Sequence, residues 1–114
     1  MNILRDYQYP LDYDKYIELS LEDKDGKTGM TITRKHIAAD GVTTVWSSHV
    51  FLSEKITASA RMSCSAKMNE YGGFNIDATI IEKDGTQCLC HITLDAETGK
   101  VLSSTITTLS LSIS

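Results

Sequence analysis

No apolar run in this sequence approaches the roughly 18 residues of a membrane span, and the opening MNILRDYQYPLDYDKY is too polar for a signal peptide. A cytoplasmic location is the resulting expectation. The three cysteines are an odd number in a chain without an export signal, so reduced thiols are expected rather than a disulfide framework. Glycine-rich loops leading into a helix, the usual phosphate cradle, are missing: Gly72-Gly73 joins two extended segments and reads as a turn. Aromatics are few, and those near the N-terminus accompany acids, which repel phosphate; direct nucleic-acid binding is disfavoured. The fragment Asp23-Lys24-Asp25-Gly26 lacks the downstream glutamate of a calcium loop and reads as a hairpin turn. No serine or cysteine is set beside a histidine and an orienting acid in any nucleophile motif. The expectation is therefore a protein that is not an enzyme and carries no metal or cofactor.

What is present is an ordinary globular composition in one domain, residues 1–114: 41% hydrophobic and 23% charged. Its charge is unevenly placed. Residues 1 to 25 hold seven acids against three bases and account for the whole net charge of −4, while the remainder is balanced. Four of the five tyrosines, Tyr7, Tyr9, Tyr13 and Tyr16, share that stretch.

The dominant pattern has a period of two. From Ile56 to Met68 every second residue is apolar and the residues between are polar, and Phe74, Ile76, Ala78 and Ile80 repeat the alternation. Only a strand with one dry and one wet face produces such a run. Asp25-Gly26, Asp40-Gly41 and Asp84-Gly85 supply tight hairpin turns; Asn69 to Gly73 and Glu97 to Lys100 supply longer ones. These signals predict seven strands near 16–22, 29–37, 42–52, 56–68, 73–83, 86–95 and 100–113, with Ser53-Glu54-Lys55 the weakest boundary because it lacks glycine. Pro10 opens at most a short helical turn. The predicted fold is mainly β: an antiparallel meander of about seven strands, strongly curled or closed into a barrel, because no amphipathic helix exists to cover its apolar face. The last strand changes phase, with Leu102 and Ile106 on one parity and Leu109, Leu111 and Ile113 on the other, which predicts a bulge near Thr107-Thr108.

The densest group of metal-type side chains, Cys88-Leu89-Cys90-His91, falls inside a predicted strand. Alternation sends Cys88 and Cys90 to the face of Ile92 and Leu94 and sends His91 to the other, so the three cannot converge on one ion. Cys64 lies likewise among Met62 and Ala66. Core packing is the reading for all three thiols, with a cross-strand Cys64–Cys90 pair as the alternative. His49 alternates with Ser47 and Phe51 on the wetter parity of its strand.

The segment RDYQYPLDYDKYIE is then the best interface candidate. Tyrosine offers large, rigid contact area with a polar tip, and surrounding acids steer a basic partner into place. The predicted partner-binding residues are Tyr7, Tyr9, Asp12, Tyr13, Asp14, Tyr16 and Glu18. A small, acidic, mostly β domain without a catalytic set resembles the immunity proteins that bacteria make against their own toxins, such as those of contact-dependent growth inhibition. The resemblance is one of kind, without an aligned motif, and transfers no residue. It implies a cytoplasmic inhibitor of a basic protein partner, a toxin and possibly a nuclease. The alternative is a small barrel carrying an apolar ligand, its interior lined by Trp46, Ala58, Ala60, Met62, Cys64, Ala66, Met68 and Ala78. Monomer and edge-strand dimer both remain open, the dimer through the last strand if the barrel does not close.

Overall fold

A computed structural model describes residues 2–24, 27–52 and 60–109, with side chains described for 8–22 and from Lys27 onward within those limits. It contains eight strands: β1 (Asn2–Asp12), β2 (Lys15–Lys24), β3 (Lys27–Ala38), β4 (Gly41–Phe51), β5 (Arg61–Met68), β6 (Gly73–Ile81), β7 (Gln87–Asp95) and β8 (Val101–Leu109). They form two antiparallel four-stranded meanders, in the orders β1-β2-β3-β4 and β5-β6-β7-β8. No helix occurs among the described residues.

Strict alternation dictates the inner faces. On β2, Ile17, Leu19 and Leu21 are fully buried; on β6 and β7 the same is true of Phe74, Ile76 and Ile80 and of Ile92 and Leu94. The two inner faces merge into one hydrophobic core, each sheet covering the other. Full burial of such side chains contributes roughly 1.5–3 kcal/mol apiece, enough to set the register. The result is a β-sandwich, an open two-layer solution that leaves β1, β4, β5 and β8 as edges.

Four expectations are corrected by this architecture. The seven-stranded single meander becomes eight strands in two sheets, and there is no closed barrel: each half presents an apolar face that serves as the other's cover. The change of sheet falls between Leu52 and Ala60, where the glycine-free boundary lay; residues 53–59, and with them the start of the predicted strand at 56–68, lie outside the described residues. Pro10 opens no helical turn. It pairs with Tyr16 inside β1, beside a register shift between Pro10 and Asp12. An edge strand tolerates proline because its outward groups need no partner. Finally, the bulge of β8 sits at its start, not at Thr107-Thr108: Thr93 pairs with Ser103 while Leu94 pairs with Val101. Leu102 is squeezed out to solvent, and beyond it Ile106 packs on the core while Leu109 faces out, so the strand keeps one phase from Ser103 to Leu109; Leu111 and Ile113 lie outside the described residues.

The predicted turns at Asp40-Gly41, Asp84-Gly85, Gly72 and Gly99 are present, and Gly41, Gly72, Gly85 and Gly99 all have positive φ. Asp25-Gly26 lies outside the described residues, while Asp23 and Lys24 of the calcium-like fragment end β2.

Candidate functional site

At one end the sheets are unequal in reach. Sheet β5–β8 stops at its 69–73 and 95–100 turns, where the Ala96 carbonyl accepts hydrogen bonds from Arg34 Nη1 (2.6 Å) and Trp46 Nε1 (2.8 Å). Ser48 Oγ donates to the Gly99 carbonyl on the same side. Trp46 also meets Phe74, ring centroids 6.3 Å apart and tilted at 54°, while the Arg34 guanidinium lies 5.8 Å over the Phe74 ring. This is the clamp between the layers. Beyond it the first sheet continues: β3 runs on to Ala38, β4 begins at Gly41, and the β1–β2 turn spans Tyr13 and Asp14. At about 3.3 Å per residue the overhang past Arg34 is roughly 13 Å. Its residues are correspondingly wet: Tyr13 is 90% exposed, and Ile37, Val42 and Val45 are exposed apolar side chains. Asp12 and Asp40 are exposed and Asp14 half-buried.

Local chemistry fixes this tip. The Asp12 carboxylate accepts from the Tyr13 N–H at 2.8 Å, and the Asp14 carbonyl accepts from the Ile37 N–H at 2.8 Å. Asp14 Oδ2 lies 3.4 Å from His36 Nε2. Three carboxylates thus share the tip with Tyr13, Ile37 and Val42.

Beneath the overhang is a groove of about 400 Å³ lined by Arg34, Met68, Tyr71, Gly72, Asp95, Ala96 and Glu97. Met68 and Tyr71 are exposed, Tyr71 at 88%. Asp95 is held below the usual carboxylate range by hydrogen bonds from the Thr98 hydroxyl and backbone. Arg34 has no carboxylate within ion-pair distance among the described residues, and its Nε is buried without an acceptor. The guanidinium is therefore held by Ala96 and Phe74, not by charge.

The predicted partner-binding residues divide among three places. Asp12, Tyr13 and Asp14 come together at the tip. Tyr16 and Glu18 lie half-buried on the outer parity of β2, opposite Lys35 and Thr33. Tyr9 points inward, packs on the core and hydrogen-bonds Cys64. Tyr7 pairs with Leu19 through its backbone, and its side chain lies outside those described. Folding also dilutes the N-terminal acidity, since β3 lays Lys35 and Lys27 beside β2. Sequence reasoning missed Asp40, Tyr71 and Met68, which only the turns bring to this end.

The thiols are placed as alternation requires. Cys64, Cys88 and Cys90 are buried and form no disulfide, and Cys88 Sγ lies 3.9 Å from Cys90 Sγ. Cys64 and Cys90 both pair with Ala78 from opposite sides, so β6 stands between them. Two strand spacings, about 10 Å, rule out the cross-strand disulfide or metal pair. Burial pushes the Cys64 thiol up, opposed by the Tyr9 hydrogen bond. The neighbouring Cys88 thiol and burial push Cys90 up strongly. Protonated, buried thiols are poor nucleophiles.

His91 takes part in a row that no sequence spacing announces. Asp77, His91 and Thr105 pair across β6, β7 and β8 on the outer face, with Asp77 Oδ1 2.5 Å from His91 Nδ1. The order acid, imidazole, hydroxyl is that of a hydrolase triad. No hydrogen bond joins Thr105 to the ring among the described residues, and the side chains of His91 and Asp77 are 54% and 61% exposed. Solvent thus screens the pair and no donor converges on a reacting oxygen, so the arrangement fits a cross-strand surface pair. His49 bonds Thr31 Oγ1 at 3.0 Å on the outer face of the other sheet.

The apolar interior expected of a carrier is occupied. Trp46, Ala60, Met62, Cys64 and Ala78 are buried in the shared core, Ala66 is half-buried and Met68 faces solvent; Ala58 lies outside the described residues. A mainly apolar groove of about 280 Å³ opens beside Gly29, Met30, Thr31, His49, Val50 and Phe51. Comparison of the chain with family models, with curated proteins and with solved structures finds no match.

Proposed function

We propose that this protein acts by binding, and that it receives a basic segment of a partner protein at the overhanging tip and the groove beneath it. The observation that carries this reading is the tip itself: three carboxylates and a tyrosine 90% exposed, on a length of sheet that no second layer covers among the described residues. A scaffold has no need of uncovered sheet, and an exposed tyrosine surrounded by acids provides both a contact anchor and electrostatic steering. Met68 and Tyr71 extend the aromatic and apolar surface across the groove, and Glu97 extends the acidic rim.

In this reading Asp12, Asp14 and Asp40 set the encounter rate and its salt dependence, Tyr13 and Tyr71 set the lifetime, and the Arg34–Phe74–Trp46 clamp holds both layers still. The form of function most consistent with a small acidic module of this kind is neutralisation of a basic toxin in the manner of an immunity protein.

The test is capture from lysate of the producing cell on the tagged chain, at low and high salt. A basic protein retained at low salt, released at high salt, and not retained by a chain carrying Asp12→Asn, Tyr13→Ala and Asp14→Asn would support the reading. Equal retention by the triple variant would place binding elsewhere.

A further inference from the structure

The four edge strands are not equally protected. Exposed edges invite pairing with another chain, and proteins guard them with charge, proline or bulges. β1 carries Arg5, Asp6, Asp12 and Pro10 and two register shifts. β5 carries Arg61 and Lys67 in only eight residues. On the opposite flank, β4 (GVTTVWSSHVF) and β8 (VLSSTITTL) contain no Asp, Glu, Lys or Arg between them. These two strands lie on one side of the sandwich, joined through Ser48 and Trp46 to the 96–99 turn. Of the ten large apolar side chains exposed among the described residues, five belong to them: Val42, Val45, Phe51, Leu102 and Leu109.

β4 retains one guard, the register shift at Arg34/Lys35 that displaces Val45. β8 has its only bulge at Leu102, leaving Ser103 to Leu109 regular, free of proline and glycine, and rich in threonine. Half of its N–H and C=O groups face away from β7.

We infer that β8 pairs antiparallel with β8 of a second copy, about a two-fold axis near Thr105, to make one continuous eight-stranded sheet. A second copy is the fitting occupant for two reasons. In a two-fold pairing the residue on the axis meets its own copy, where any charge would meet its like, and a charge elsewhere would need its opposite at the symmetry-related position; a strand without charge meets neither obstacle. The strand is also long enough. The regular run from Ser103 to Leu109, about 23 Å long, is longer than the roughly five or six residues of an ordinary strand.

The experiment is light scattering with size separation on the full chain across a wide range of concentration. It is run on the wild type, on Thr105→Lys, which sets two like charges opposite each other, and on Gln8→Lys at the β1 edge, with circular dichroism as the check of folding. The expected result is twice the chain mass for the wild type and for Gln8→Lys, and association weakened at least tenfold, towards monomer, for Thr105→Lys. A monomeric wild type throughout, or a folded Thr105→Lys chain that stays dimeric, would overturn the inference. If Thr105→Lys does not fold, hydrogen exchange of the wild type decides: amides of residues 103–109 gain protection with concentration if β8 pairs, and show none if it does not.

Discussion

The two flanks of the sandwich solve one problem in opposite ways. Along the β1/β5 flank the edges carry Arg5, Asp6, Asp12, Arg61 and Lys67 together with Pro10, and Tyr9 hydrogen-bonds Cys64 across the interior. Along the β4/β8 flank there is no full charge in twenty residues, and the interior is closed by Trp46, Ser48 and Gly99 in direct contact. The comparison shows that edge protection and layer closure are separate tasks. The charged flank is guarded outside and joined inside through Tyr9; the uncharged one is fastened inside through a buried indole and carries no charge outside.

Breaking the stronger fastening should have the largest effect. Gly99 has φ +76°, and a Cβ there would stand 2.5 Å from the Trp46 ring. Gly99→Ala combines a left-handed backbone penalty with an overlap against a buried indole, and a loss of about 3 kcal/mol is expected in urea denaturation. The matching change on the other flank, Tyr9→Phe, removes one hydrogen bond and should cost about 1 kcal/mol. Equal losses would erase the contrast in fastening.

Alkaline pH sharpens the same contrast. Cys64 and Cys90 are both raised in the folded chain, so the native state holds protons that the unfolded state releases above about pH 8.5. Stability is complete below that pH and falls as pH rises through the folded values, by up to about 1.4 kcal/mol per unit for each thiol. Denaturant melts at neutral and alkaline pH should show the fall, and Cys64→Ala with Cys90→Ala should flatten it. The smallest effect belongs to the exposed surface pair: Asp77→Ala should change stability by no more than about 0.5 kcal/mol in the same melts. A larger loss would mean that the Asp77–His91–Thr105 row is more than surface pairing.

Much of the second sheet was legible in the sequence because its strands alternate cleanly and its turns carry glycine. Cys88, Cys90, Ile92 and Leu94 share a buried face, and His91 faces out, as periodicity requires. β1 was not legible. Its tyrosines and acids match no dry-and-wet pattern, since an edge strand with two register shifts changes face along its length, and Pro10 mimics a helix start. The barrel was expected because periodicity shows that a face needs cover without showing what covers it; here the cover is the other half of the chain. Of the candidate site, Asp12, Tyr13 and Asp14 were readable as an acidic aromatic cluster. Asp40 and Tyr71 join them only through hairpin geometry, and Tyr9 left the cluster because its parity turned it toward Cys64.

Binding at the overhang is the central claim, and affinity for the captured basic protein tests it most directly. Calorimetric titration would compare the wild type, the Asp12→Asn, Tyr13→Ala, Asp14→Asn chain and the β8 variant Thr105→Lys, each checked for folding. The account predicts at least tenfold weaker binding for the tip variant and affinity within about twofold of wild type for the β8 variant. Wild-type affinity in the tip variant would contradict it.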